Sequence, residues 1–232
     1  MANQKLLRLS STLVLVGVVL VTIIVEFLHP GGGTTYADTL AIWAVSRDWT
    51  AIHLGQFVGM AGIGAGLLVL FFALGLSQGA PRWVGFFGAL AAGVSIALAA
   101  VTFAVDGVAN KMAANAWASA PAAEQATRFA SAQALRWLEI GTSSYLDFLL
   151  GLALVLFAIV IVQTARVPRP VGSLVGVSGL AYLVQGWVIG TTGFSSATFV
   201  PTVAGYVLLG ASMIWLYIVA WLGKESVQAV PA

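Results

Sequence analysis

The sequence predicts an all-α integral membrane protein, a single domain over residues 1–232 built as a bundle of six transmembrane helices. Of the 232 residues, 60% are hydrophobic and only 8% are charged, which is too little polar surface for a soluble domain of this size. The apolar residues fall in six runs, each close to or above the ~20 residues that cross a bilayer. Runs of this length span only as helices, because every backbone polar group must be satisfied within the segment.

The six spans are predicted, in chain order, at residues 11–29, 51–77, 82–105, 139–165, 170–190 and 200–222. The first run follows Lys5 and Arg8, as a signal peptide does, but we interpret it as a transmembrane helix. An even number of spans places both termini on one side of the membrane.

Two long connections lie on the other side. The segment 30–50 opens with three glycines and is predicted as a loop. The segment 107–138 is rich in alanine and is interrupted near Pro121, a residue that suits the first turn of a helix. Glu124 complements the helix dipole there. We therefore expect an extracytoplasmic helical hairpin between the third and fourth spans.

Basic residues predict the orientation. The side that holds the termini carries six, in the terminal segments and in very short connections, where the positive-inside bias is strongest: Lys5, Arg8, Arg82, Arg166, Arg169 and Lys224. The other side carries four in long ones: Arg47, Lys111, Arg128 and Arg136. We predict a multi-pass protein of the bacterial inner membrane with both termini in the cytoplasm.

Glycine spacing, charge and the absence of cysteine limit the kinds of partner and cofactor that we expect. Four glycine pairs are spaced four apart, a pattern that lets helix backbones approach closely: Gly55/Gly59, Gly62/Gly66, Gly172/Gly176 and Gly186/Gly190. We expect tight packing within the bundle, and contacts with the lipid bilayer and with a second copy or a larger membrane complex. The scattered positive charges predict no nucleic-acid partner. Because cysteine is absent, disulfides, thiolate-ligated haem and iron–sulfur clusters are excluded.

A family resemblance arises at the fifth span. Pro168-Arg169-Pro170-Val171-Gly172, followed by Gly179-Leu180-Ala181-Tyr182-Leu183, resembles the closing segment of a family of bacterial polytopic membrane proteins of unknown function. The plan of six helices with a long outer segment before the fourth is also similar. The resemblance implies a fold and no functional residues.

Ionisable residues inside the spans concentrate at one face. Because consecutive helices alternate direction, the end of the first span and the start of the second meet there, as do the end of the third and the start of the fourth. This face collects both histidines and four carboxylates: Glu26, His29, His53, Asp106, Glu139 and Asp147. Such groups are costly in hydrocarbon and usually face a cavity or a partner, so we predict that they line one outward-opening polar cavity.

These residue types favour metal binding. Glu26 and His29 are three apart and share a helix face, a spacing that helical di-iron proteins use. We predict metal ligands at Glu26, His29, His53, Asp106 and Glu139, which suit zinc, iron, manganese or copper. Further binding residues are predicted at Gln56, Ser143, Asp147 and Gln185. Alternatively, His29 and His53 lie on different helices at one level, where they can ligate a haem b axially.

Structural explanations also exist for single residues. His29 ends a helix, where the dipole favours a histidine, and Glu139 begins one, where it favours an acid. Arg136 or Arg47 can neutralise a carboxylate without any metal.

Two functional classes therefore remain open, with a third beside them. In the first, the cavity holds a metal or haem and serves an oxidoreductase or a metal-dependent membrane enzyme. In the second, the protein binds or transports a small solute or protons without a metal. The third is an accessory subunit of a membrane complex. Catalytic residues are not identified, because no nucleophile elbow, phosphate-binding loop or His-Glu-x-x-His motif is present.

Overall fold

The computed structural model describes residues 2–222, except for the side chain of Glu26; Met1 and residues 223–232, with Lys224, lie outside the described part. The described residues form eight α-helices and contain no β-strand. The helices are α1 (Gln4–Ile23), α2 (Tyr36–Val45), α3 (Trp49–Ala73), α4 (Ala80–Ala104), α5 (Lys111–Ala118), α6 (Ala122–Thr164), α7 (Arg169–Thr192) and α8 (Phe199–Leu222). All but α2 and α5 are long and apolar enough to cross a membrane, so the prediction of a six-helix bundle is confirmed.

Local sequence sets the helix boundaries. The Asn3 side chain accepts a hydrogen bond from the Leu6 amide, so α1 begins seven residues before the predicted span. Pro81 and Pro170 lie in the first turns of α4 and α7, where a missing N–H costs nothing. The fourth spanning helix is 43 residues long, because the second arm of the outer hairpin continues into it without a break. The predicted hairpin is therefore α5 followed by the first turns of α6.

The loop predicted over residues 30–50 contains a helix. Thr35 and Asp38 form a reciprocal capping box at the start of α2, a sequence signal of helix initiation. The Tyr36 hydroxyl donates to the Ala132 carbonyl at 2.8 Å, and Lys111 Nζ donates to the Trp43 carbonyl at 2.7 Å. These bonds hold α2 against the hairpin, so that both cover one end of the bundle.

Close approach of helix backbones explains the glycine spacing. A Cβ on Gly59 would lie 3.1 Å from the Gly17 carbonyl oxygen, and one on Gly186 would lie 2.8 Å from the Ser144 carbonyl oxygen. In addition, the Ser144 hydroxyl donates to the Gly186 carbonyl at 2.7 Å. Glycine therefore joins α1 to α3 and α6 to α7 within one chain. The predicted use of these glycine faces toward partner proteins stays a prediction.

Candidate metal centre and cavity

Two π-helical turns shape the covered end of the bundle. The first, Ile24–Leu28, continues α1, and the second, Val105–Asn110, continues α4. Turns of this kind are rare and occur frequently at functional sites, because they change which side chains share a helix face. His29 follows the first turn directly and Asp106 lies in the second, so both side chains reach the start of α3.

Three predicted ligands form one compact group. His29, His53 and Asp106 each offer a ligand atom, and these atoms all lie within 4.8 Å of one another. We call these residues the triad. His53 Nε2 lies 2.9 Å from Asp106 Oδ2, and the two imidazole ring centroids are 5.1 Å apart. The described part of the chain thus brings together both histidines of the sequence and one carboxylate.

The tautomer of His53 follows from its neighbours. Its Nδ1 lies 2.7 Å from the Trp49 carbonyl, which only accepts, so Nδ1 carries the proton and donates. Nε2 then presents a lone pair. This buried atom makes no hydrogen bond of normal geometry, although Asp106 Oδ2 is close. A lone pair and a carboxylate oxygen at this distance call for a shared cation, either a proton or a metal ion.

His29 completes the triad from a partly buried position. Its ring packs against the Trp49 ring at 5.1 Å between centroids, and against His53 at the same distance. The neutral form of an imidazole such as that of His29 is the commonest metal ligand in proteins.

Trp49 packs inside the protein beside the triad. Its side chain is fully buried, whereas those of Trp137 and Trp187 are about two-thirds exposed. Trp49 Nε1 donates to the Asp106 carbonyl at 2.8 Å, and the Thr50 hydroxyl donates to the Gly107 carbonyl at 2.8 Å. These bonds fix the start of α3 against the second π turn.

Glu139 was predicted as a metal ligand, but the structure gives its oxygens other partners. Arg136 donates to both oxygens at 2.6 and 2.7 Å, and Asn110 Nδ2 donates to Oε2 at 2.6 Å. Asn110 also reaches Asp106 Oδ1, at 3.4 Å. Glu139 thus lies outside the triad and is linked to Asp106 through Asn110. The sequence reasoning missed Asn110, although its spacing of four from Asp106 was readable.

Arg136 is the last member of this hydrogen-bond network, and it lies at the covered end of the bundle. Its guanidinium lies 5.1 Å from the Trp43 ring centroid and 4.6 Å from that of Phe194, so it contacts an aromatic ring of α2 and one that follows α7. Together with the Glu139 ion pair, these contacts hold the Arg136 side chain at the covered end of the cavity.

Beneath the triad lies a cavity of about 450 Å³, within the range of small-molecule sites. Of the residues predicted to line it, His29, Asp106 and Glu139 do so, His53 lies behind its wall, and the side chain of Glu26 is outside the described part. The predicted binding residues also line it: Gln56, Ser143, Asp147 and Gln185. The sequence reasoning missed Thr102, Tyr182 and Tyr206, which had no distinguishing spacing.

Comparison with protein-family models, with curated proteins and with solved structures finds no match for this chain. The resemblance at the fifth span therefore stays a prediction. Function has to be inferred from the chemistry of the centre and the cavity.

Proposed function

We propose that this multi-pass membrane protein binds a divalent transition-metal ion at the triad, as a metal-dependent membrane enzyme does. The observation that carries the proposal is the convergence of three ligand atoms within 4.8 Å at the head of the cavity. We further propose that this end faces away from the cytoplasm, because the basic residues of the shortest connections lie at the opposite end.

The donor set supports a catalytic type of site. Two imidazoles and one carboxylate are typical of zinc and non-haem iron sites that keep coordination positions for water or substrate. The carbonyl of Trp49 fixes the His53 ring, as outer hydrogen bonds commonly do for metal ligands. When bound, the ion would polarise a carbonyl or phosphoryl group, or activate a water molecule.

The hydrogen bonds among Asn110, Glu139 and Arg136 orient the Asp106 carboxylate and leave it its negative charge. Asn110 holds the second oxygen of Asp106 and is itself fixed by Glu139, whose charge Arg136 neutralises. Asp106 is thereby left as the carboxylate available to a cation. In this proposal Glu139 positions Asp106 through Asn110, and does not ligate.

The predicted haem is not supported by the ring geometry. Axial ligation by two histidines places an iron and the plane of a porphyrin between the rings, with Fe–N bonds of about 2 Å on each side. The rings of His29 and His53 instead contact each other, with centroids 5.1 Å apart and planes inclined at 69°. No slot for a macrocycle separates them.

Metal analysis of the purified chain tests the proposal. The full-length protein, extracted in detergent without chelators, is expected to contain about one zinc, iron, copper or manganese ion per chain, and no Soret band. His53→Ala and Asp106→Asn are expected to lose the ion. Asp48→Asn is the matched control, because Asp48 is an exposed carboxylate at the same end and outside the triad.

The proposal fails if the wild-type chain is metal-free and does not bind added Zn²⁺, Fe²⁺ or Cu²⁺. It also fails if the Asp106 and Asp48 variants retain metal equally. Either result would favour the alternative in which the cavity binds or moves a solute without a metal.

A further inference from the structure

The inner half of the cavity contains a carboxylate that the metal centre does not use. Asp147 lines the cavity and is only 7% exposed. Within the described part of the chain, which leaves out the Glu26 side chain, its carboxylate makes no hydrogen bond or ion pair, and no arginine or lysine reaches it. A buried carboxylate without a partner is costly, so the ionised form of Asp147 requires a cation beside it.

Two glutamine side chains, Gln56 and Gln185, lie at the same depth in the bundle as Asp147. Asp147, Gln56 and Gln185 lie 17, 17 and 16 residues from the ends of α6, α3 and α7 that face away from the triad. At 1.5 Å per residue this places all three about 25 Å from that end. Three helices therefore deliver polar side chains to one level of an otherwise apolar bundle.

Several polar atoms of the cavity lining have no partner. Gln56 Oε1, Gln185 Oε1, Thr102 Oγ1 and Tyr182 Oη are buried and make no hydrogen bond within the described residues. Unpaired buried polar atoms are few in folded proteins, and a cluster that lines one cavity indicates a ligand that supplies the missing bonds. All of these side chains can accept a hydrogen bond.

The lining of the cavity also includes aromatic rings. The rings of Tyr182 and Tyr206 are perpendicular, with centroids 6.0 Å apart, and both residues line the cavity with Phe103. Aromatic rings attract organic cations more than they do small hydrated ions, because an alkylammonium group sheds water easily. Among the described residues, Arg136 is the one arginine or lysine in the lining, and Glu139 holds it at the covered end.

We propose that the inner half of the cavity binds a small organic amine in its protonated form, with the ammonium group against Asp147 and the alkyl part against the tyrosine rings. The amide oxygens of Gln56 and Gln185 accept the remaining ammonium protons. This inference goes beyond the proposed metal centre and does not rest on it, because Asp147 lies about 12 Å along α6 from Glu139.

Titration of the purified full-length chain with butylammonium chloride tests the inference. The protein is treated with chelator first, so that the metal centre cannot contribute, and binding is measured by calorimetry and by thermal unfolding. We expect saturable binding of butylammonium, at least about tenfold weaker binding of butan-1-ol, and a loss of at least about tenfold in Asp147→Asn. Asp48→Asn is expected to bind as the wild type does.

Gln185→Asn serves as a second variant that keeps every charge and shortens one acceptor. It is expected to bind butylammonium more weakly than the wild type and still prefer it to butan-1-ol. The inference is overturned by equal binding of butylammonium and butan-1-ol, by unchanged affinity in a folded Asp147→Asn variant, or by no saturable butylammonium binding. Saturable sodium binding that requires Asp147 and excludes the amine would overturn it too, by assigning the site to an inorganic cation.

Discussion

A single added methyl group at Gly107 should disable the proposed metal centre without replacing any of its ligands. Gly107 lies in the second π turn, against the start of α3. A Cβ built there would lie 2.6 Å from His53 Cβ and 3.3 Å from its Cγ. The shorter distance is about 0.8 Å below the 3.4 Å at which ordinary contact begins. Because both groups are near the backbone and His53 is fully buried, neither can swing away.

The size of the His53 displacement determines the expected loss of metal affinity. Ligand distances in metal sites tolerate about 0.2 Å, so a shift of several tenths of an ångström in His53 removes it as a well-placed ligand. Smaller disturbances of outer hydrogen bonds already lower metal affinity about 10–100-fold, and we expect at least that loss in Gly107→Ala. Overpacking should also destabilise the fold by about 1–3 kcal/mol.

The assay is a competition titration of Zn²⁺ with a chromophoric chelator, combined with thermal unfolding in detergent. Gly93→Ala is the matched control, because a Cβ there, on α4, meets nothing within 4 Å. This control should keep its metal affinity and gain up to about 1 kcal/mol from helix propensity. If Gly107→Ala binds Zn²⁺ as tightly as Gly93→Ala does, the reasoning about the α3 contact is refuted.

Three further outcomes are expected. Arg136→Met should destabilise the protein by about 3 kcal/mol in thermal unfolding, because it removes the positively charged partner of the buried Glu139 carboxylate. Adding Glu139→Gln should restore most of the loss, and additive losses would contradict this explanation. Hydrogen bonds from Thr34 and Thr35 lower the pKa of Asp38, so the helix-capping contribution of its carboxylate is present above pH 4 and is lost as pH falls through the lowered pKa. Amide exchange of α2, corrected for intrinsic rates, should accelerate over that acidic range in the wild type and be already fast at pH 7 in Asp38→Ala. Cysteines introduced at Gly79 and Ala122 should react with an impermeant reagent from opposite sides of the membrane, with Ala122 outside; reaction from one side would refute the topology.

The fold was predictable because hydrocarbon imposes one rule on every span. Six long apolar runs can only be helices, and proline and charge mark where they turn. The sequence reasoning missed α2, although Thr35 and Asp38 carry a helix-start signal, because a loop between two membrane spans was expected to be irregular. The continuation of α6 beyond the fourth span was predictable, as the second arm of the outer hairpin, because alanine-rich segments favour a helix in water as well.

The sequence was sufficient to predict at which end of the bundle the candidate site lies, and only in part which side chains contact one another there. Alternation of helix direction alone places His29, His53 and Asp106 at one end, and the structure joins them in one group. It does not reveal which carboxylate already has a partner. Glu139 and Asp106 are alike in sequence, and Arg136 singles out Glu139 through side-chain packing that hydrophobic periodicity cannot describe. The role of Trp49 was hidden for the same reason, since burial at a helix start depends on α2 covering it.

Because of the π turn at Val105–Asn110, evolution can add or remove the candidate metal centre and leave the helix bundle unchanged. Such a turn holds one residue more than the α-helix it interrupts. Deleting that residue would leave α4 in place and rotate the following segment by about 100°, carrying Asn110 away from Glu139. A single inserted residue can thus create the side of the candidate centre that the second π turn supplies, and a single deletion can remove it. The six spanning helices persist in both cases. Among chains that share this bundle, a one-residue gap at this turn should therefore distinguish those that keep the centre from those that have lost it.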